Sequence, residues 1–366
     1  MAQGMINNLE RMKGRISMAM GMSIFLMLPI RAQQTGGRSS YQFLNLSPSS
    51  RNTALGGNAH SWATTDPAIA YLNPALLQEQ TDYALSFQHQ SLPGSIANGH
   101  FAYAHKPLTK WQIRLQAGLH YLNSSSFQGA DVFGNPTGTF RVAESAFYLG
   151  GSKKINERMH VGLNMQYIFS RLDIYTSSAL AFNAGFQYFH PVHRYALSFS
   201  LRNAGFAINA YHQERMKLPV SAELGFSKRL KHLPFIYYIS FHHLQDYNVR
   251  YDDPALSASG NLFGPPKEVS AFSRISDNFL RHFSLGGEML LGKKEVVSLR
   301  IGYNHLRRKE LGVKDYASFA GLSFGAGVKI YKFRIDYSYA IYHLSGGVNQ
   351  IGITSRINSF FKEREM

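Results

Sequence analysis

The sequence predicts an all-β protein: a single 14-stranded antiparallel transmembrane β-barrel with a plug in its lumen, supplied by the chain's own N-terminus. Three observations point there. Apolar and polar residues alternate with period two over most of the chain, the connections between alternating runs are short and long by turns, and the stretch 51–77 breaks the alternation.

Composition narrows the class. The 366 residues would suffice for two or three soluble domains or for one large barrel. Aromatic residues make up 13% (26 Phe, 21 Tyr, 2 Trp) with 32 Gly, while the apolar total of 45% is that of an ordinary soluble protein. A helical membrane protein would be far more apolar, so only a barrel combines this balance with membrane residence. The absence of cysteine removes disulfides, thiolate metal sites and cysteine nucleophiles. The formal charge is +16, and removal of residues 1–32 takes away Arg11, Lys13, Arg15 and Arg31 against Glu10, leaving +13. That charge is scattered singly apart from Lys228-Arg229 and Arg307-Arg308-Lys309, which argues against nucleic acid and toward lipid phosphates or an anionic glycan.

The elements follow in order. Residues 1–32 read as a signal peptide: Lys13 and Arg15 form a basic start, 16–30 is an uncharged Met-rich apolar run, and Ala32-Gln33 offers a small-residue cleavage point. The leader does not need the residues before Met12. Residues 33–82 form the plug segment, opening on a polar Gly/Ser-rich lead-in. The barrel is assigned to 83–358 and a short tail to 359–366. Within 111–121, Trp111, Ile113, Leu115, Ala117, Leu119 and Tyr121 alternate without exception with Gln112, Arg114, Gln116, Gly118 and His120.

Fourteen strands are expected at 83–90, 98–105, 111–121, 142–153, 158–170, 178–190, 194–204, 219–230, 235–246, 279–292, 295–305, 316–330, 331–343 and 349–358. Connections after even strands are short. Those after odd strands are longer (123–141, 171–177, 205–218, 247–278, 306–315), with only those near 91–97 and 344–348 brief. A soluble sandwich has no reason to keep that parity, whereas an outer-membrane barrel does. The apolar set then faces lipid. Arg114, Arg202, Glu223, Glu288, Arg300, Arg334, Asp336 and Arg356 face the lumen, where charges of both signs can pair.

The candidate site is the plug motif: Arg51, the Gly56-Gly57 turn, Asp66-Pro67 and Asn73-Pro74-Ala75. Asn-Pro is also a common helix start, with Asn73 as N-cap and Pro74 in first position, and both readings hold together. The 247–278 loop carries Tyr251, Leu256, Phe263 and Phe272, either as a partner-docking surface or as a lid. The fifteen histidines show no metal-ligand spacing; His242 and His243, adjacent on a strand, would face opposite sides, and solvated or girdle roles are expected. Gly321-x-x-x-Gly325-x-Gly327 lies in a strand rather than a strand–turn–helix, so it marks close packing against the plug and not a phosphate loop. Ser359-x-x-Lys362 matches a Ser/Lys dyad only as a string, so no enzyme, metal or cofactor is expected.

The run SPSSRNTALGGNAHSWATTDPAIAYLNPALL, behind QFLNL, resembles the N-terminal hatch of the FadL-like outer-membrane family, and more closely its type IX secretion branch, the PorV-like barrels. The specific motif is confined to 41–77. The resemblance implies a fourteen-stranded barrel in the outer membrane of a Gram-negative bacterium, with loops at the cell surface. It further implies a non-catalytic component of the attachment complex that anchors a PorZ-like surface protein. PorU and PorV-like subunits of that complex process secreted cargo and attach it to anionic lipopolysaccharide. The alternative is a FadL-like channel for small hydrophobic molecules.

Overall fold

A computed structural model describes residues 39–108, 110–211, 216–250, 270–311, 319–343 and 346–361. The expected signal peptide and loop residues Tyr251, Leu256 and Phe263 lie outside the described residues. Sixteen strands are β1 (Ala84–Leu92), β2 (Ile96–Leu108), β3 (Ile113–Ser124), β4 (Phe127–Ala130), β5 (Pro136–Phe140), β6 (Val142–Asn156), β7 (Met159–Leu172), β8 (Tyr175–His190), β9 (Tyr195–Asn209), β10 (Ser221–Arg229), β11 (Phe235–Phe241), β12 (Phe283–Leu291), β13 (Val297–Asn304), β14 (Leu322–Ile330), β15 (Phe333–His343) and β16 (Gly346–Arg356). Fourteen of them close a barrel in which each pairs with its sequence neighbour and β1 pairs with β16, from Ala84 opposite Arg356 to Ser91 opposite Asn349. The other two, β4 and β5, form a separate hairpin. No helix among the described residues is long and apolar enough to cross a membrane.

The alternation has the expected consequence. Along β7, His160, Asn164, Gln166 and Ser170 are buried while Val161, Leu163, Met165, Tyr167 and Phe169 are exposed. Leaving the apolar set outside is favourable only where lipid covers it. Connections at one end are two to five residues long, as at Glu157-Arg158 and Tyr331-Lys332. The other end carries the larger loops.

Several expectations are corrected. The 123–141 connection contains the β4–β5 hairpin. The 171–177 connection shrinks to Asp173-Ile174, because β7 and β8 extend well past their apolar alternation, so a third odd connection is brief. The strand expected at 235–246 ends at Phe241: His243 takes a left-handed φ of 57°, and this turn brings the His242 and His243 rings to 5.1 Å instead of placing them on opposite faces. Nor are the histidines mainly solvated, since His60, His100, His120 and His242 are buried.

Among the described residues four α-helices lie outside the sheet: α1 (Ser50–Ala54), α2 (Ile69–Leu72), α3 (Ala271–Arg281) and α4 (His305–Leu311). Residues 41–82, which include α1 and α2, occupy the inside of the strand ring. Tyr41, Phe43 and Leu44 pack at the loop end against Ala146, Ile168, Ala179 and Ala181. The chain then descends through the lumen and enters β1 from the short-turn end.

Candidate functional site

All eight plug-motif residues fall inside the ring, and the structure shows what each touches. Arg51, on α1, donates to Glu288 through Nε (3.1 Å) and Nη2 (2.5 Å), and Nη2 also donates to the Tyr238 hydroxyl (2.5 Å). Burial alone would lower the guanidinium's pKa, but Glu288 overrides it and the net shift is upward, so Arg51 stays charged. Glu288 also accepts from Arg300 Nε (2.8 Å), Arg300 Nη1 donates to Asp336 (2.7 Å), and Arg334 Nε donates to the same Asp336 (3.0 Å). Three guanidiniums and two carboxylates thus tie the inner segment to β12, β13 and β15.

That chain of pairs must pass over β14, which lies between β13 and β15. Gly327 makes the passage possible, since a Cβ there would sit 2.1 Å from Asp336 Oδ1, and a Cβ on Gly325 would meet Ala54 at 2.5 Å. Of the glycine motif, Gly325 packs against the inner segment and Gly327 against the ion pairs, whereas Gly321 lies in the turn before β14, with φ of 88°, beside Asn304 and Arg308.

Two further glycine pairs form flat places on the inner wall. Gly162 and Gly185 are direct partners on β7 and β8, and added Cβ atoms would meet Pro74 C at 2.4 Å and Asn73 Oδ1 at 2.0 Å. Gly286 and Gly302 are partners on β12 and β13, and there the added atoms would meet Leu55 O at 3.0 Å and Gly56 N at 2.2 Å. Backbone can rest on wall at these two rungs only because no side chain intervenes. Gly56 and Gly57 have φ of 91° and 93°, and the turn they make is held by Asn304 Nδ2 donating to Gly56 O (3.2 Å). Asn73 does cap a helical turn: its Oδ1 accepts from Ala75 N (3.1 Å), with Pro74 in first position.

Asp66 accepts from Ser49 Oγ (2.6 Å), Gln88 Nε2 (3.2 Å) and Ala68 N (2.9 Å), and Pro67 is buried beside it. Burial raises its pKa, and the hydrogen bonds from Ser49 and Ala68 offset only part of that. A carboxyl whose folded pKa is raised contributes stability that is complete below the unfolded carboxylate range and is lost as pH climbs through the folded value. Asp66→Asn is therefore expected to flatten the pH profile. Melting of the wild type in detergent should fall, relative to the variant, as pH rises above the unfolded carboxylate value of about 4. Parallel profiles for the two proteins would contradict this.

A second polar group joins two of the expected inward charges to a histidine that the sequence did not place. Arg202 Nη2 and Glu223 Oε1 pair at 2.5 Å, and His60 Nδ1 lies 3.3 Å from Glu223 Oε2 and 2.8 Å from Asn58 O. Two acceptors around Nδ1 place the proton there, and burial lowers the ring's pKa despite Glu223, so His60 is neutral. His60 Nε2 and the Oγ atoms of Ser61, Ser198, Ser200 and Ser227 are buried without a partner along this face of β9 and β10. Strand parity would have marked the wall serines as inward; nothing in the sequence placed His60 opposite them.

Of the expected inward charges, Arg114 pairs with Asp82 (2.8 Å), whereas Arg356 is exposed at the short-turn end, where its strand stops. Ser359 merely donates to Arg356 O (2.6 Å). Among the described residues no group of three or more His, Asp or Glu is arranged to hold a metal. Phe272 lies far from the motif, on α3, and is 81% exposed.

On the outer wall an apolar groove of about 470 Å³ lies over β8–β11, rimmed by Phe186, Phe199, Phe226 and Phe241, with Ser198 and Gly225 in its floor. Behind that floor sits the inner segment: a Cβ on Gly225 would lie 3.1 Å from Ser61 Cβ and 3.5 Å from His60 Nε2.

Among solved structures the chain is similar to the toluene transporter TodX of Pseudomonas putida, at 12% identity over 85% of this chain and 96% of that one, with a TM-score of 0.53. The fold is that of the FadL-like outer-membrane barrels. A deltaS2 mutant of the TodX monoaromatic hydrocarbon channel gives 12% identity over 86% and 98% of the two chains with a TM-score of 0.51. A Pseudomonas aeruginosa FadL homologue aligns at 10% identity over 85% and 98% with a TM-score of 0.46. No family model and no curated protein matches the sequence.

Proposed function

We propose that this FadL-like barrel is an outer-membrane channel for small apolar molecules, with residues 41–82 as its hatch and its loops at the cell surface. The observation that carries the reading is the groove over β8–β11. It is apolar, faces lipid, and is separated from the inner segment only by a wall of Gly225 and Ser198. Displacing the 58–61 turn would open the lumen behind it without breaking the Arg51–Glu288 pair. The fold shared with a toluene transporter supports a small aromatic or aliphatic solute over a sugar or an ion.

The test is uptake of labelled toluene into vesicles holding the barrel. Gly225→Leu pushes a side chain into Ser198 and Ser61 and is expected to slow uptake at least about tenfold while the barrel keeps its heat-modifiable gel mobility. Wild-type vesicles no faster than empty ones would overturn the channel.

One observation favours a second reading, a PorQ-type anchor of the type IX attachment complex. The hatch is fixed by buried ion pairs, and its wording over 41–77 resembles that of the type IX branch. Such an anchor would hold a PorZ-like surface protein beside PorU and PorV-like subunits and anionic lipopolysaccharide. Detergent pull-down of the tagged barrel decides it, since recovery of no surface protein leaves only the channel.

A further inference from the structure

The loop between β11 and β12 ends in an amphipathic helix whose apolar side is mostly uncovered among the described residues. On α3, Phe272, Ile275 and Phe279 recur at i, i+3 and i+7, so they share one face, and they are 81%, 62% and 53% exposed. Arg274, Asp277 and Arg281 lie on the opposite face. Three large apolar side chains on one helical stripe in water would be unfavourable, so something apolar covers them.

The geometry points to the bilayer as that cover: we propose that α3 is an interfacial helix, lying at the loop-end edge of the membrane with Phe272, Ile275 and Phe279 among the acyl chains. Two features of the helix carry this.

First, the stripe runs into the lipid-facing wall. The Phe279 ring is 5.8 Å from Phe241 and 5.0 Å from Phe283, and those two rings are 4.8 Å apart. Phe241 and Phe283 are partners across β11 and β12 and occupy the outward parity of their strands, since Ser240 and Ser284 beside them are buried. The helix therefore extends the outer apolar face of the barrel, where lipid already is. A surface meant for a protein partner in water would turn the stripe away from that face.

Second, the helix cannot roll. Asp277 holds Arg281 (2.9 Å) and Lys309 of α4 (2.9 Å), and Asn278 donates to Tyr247 O (2.6 Å) while accepting from Val249 N (3.1 Å). The polar face is thus tied to the loop-end surface, and the apolar face is left at the lipid side. Ser270 caps the N-terminus by accepting from Ser273 N (3.3 Å), so the helix is complete as a unit.

The chain has no cysteine, so each introduced one is unique. Single-cysteine variants Phe272→Cys, Ile275→Cys, Ser273→Cys and Arg274→Cys, nitroxide-labelled and reconstituted in phosphatidylcholine–phosphatidylglycerol vesicles, report collisions with oxygen, which partitions into lipid, and with a water-soluble nickel chelate. The expected result is an oxygen-to-chelate ratio several-fold higher at 272 and 275 than at 273 and 274. Equal chelate access at all four positions would put the helix in water. Shielding of 272 and 275 from both agents would mean that protein covers the stripe. Either outcome overturns the proposal. Among the described residues, positions 272 and 275 make no ring contact that labelling would disturb, and heat-modifiable mobility confirms that each variant is folded.

Discussion

Replacing Glu288 by leucine is expected to cost the barrel about 4 kcal/mol, because it leaves a charged Arg51 buried without its carboxylate. In the native lumen Glu288 accepts from both Arg51 and Arg300, and Asp336 accepts from Arg300 and Arg334. Removing Glu288 leaves three guanidiniums around one carboxylate, all largely enclosed. Removing Arg51 instead leaves two guanidiniums with two carboxylates, so Arg51→Met should be milder, and the double variant Arg51→Met/Glu288→Leu should recover more than half of the loss. This follows from the general behaviour of buried pairs: breaking one is costly, while replacing both partners is often nearly neutral. The check is a denaturant titration followed by the fluorescence of Trp62, which packs in the inner segment against Leu55, Ala59 and Ile236. A Glu288→Leu loss below about 1 kcal/mol, the value of an exposed pair, would contradict the assignment of this network as the clamp on the inner segment.

Gly162→Val is expected to be far more damaging than a glycine substitution on the outward face of the wall. Its Cβ would lie 2.4 Å from Pro74 C, 2.6 Å from Pro74 Cβ and 2.7 Å from Ala75 N, all on or beside backbone that cannot swing away. Overpacking of this kind typically costs about 1–3 kcal/mol, and valine adds two methyl groups beyond the Cβ to the same closed space. The control is Gly287→Ala on the outward face of β12, where the nearest atom is the edge of the Phe235 ring at 2.6 Å, a side chain free to move toward lipid. That variant should melt within a few degrees of wild type. If Gly162→Val melts no lower than Gly287→Ala, the Asn73-Pro74-Ala75 turn does not rest on the β7–β8 wall.

The barrel was legible because its code is local. Lipid on one side and an enclosed polar lumen on the other force side chains to alternate, and a run such as 111–121 shows it with no knowledge of its neighbours. The strand ends were less clear, because pairing at the loop end continues past the run of clean alternation: β8 begins at Tyr175 and β9 runs to Asn209. The loop elements were missed for the opposite reason. Helix α3 is amphipathic with period 3.6, but its stripe of Phe272, Ile275 and Phe279 sits inside a long connection where a strand start was expected at 279. The motif residues of the inner segment stood out as turn formers, yet their partners could not. Gly162 and Gly185, or Gly286 and Gly302, are far apart in sequence and acquire meaning only when the register sets them side by side. The same holds for Arg51 and Glu288, 237 residues apart.

The central claim is that residues 41–82 lie inside the strand ring against its inner wall, and a cross-link tests it most directly. Ser50 Oγ and Ser338 Oγ are 3.2 Å apart, joining α1 to β15 across 288 residues of sequence, and the chain has no other thiol to compete. The variant Ser50→Cys/Ser338→Cys, oxidised in intact outer-membrane vesicles, should form an intramolecular disulfide in most molecules and migrate faster on a non-reducing gel. Before oxidation, a membrane-impermeant maleimide should label neither cysteine. Free thiols after oxidation, together with ready labelling of Ser50→Cys, would place the segment outside the barrel and contradict the account.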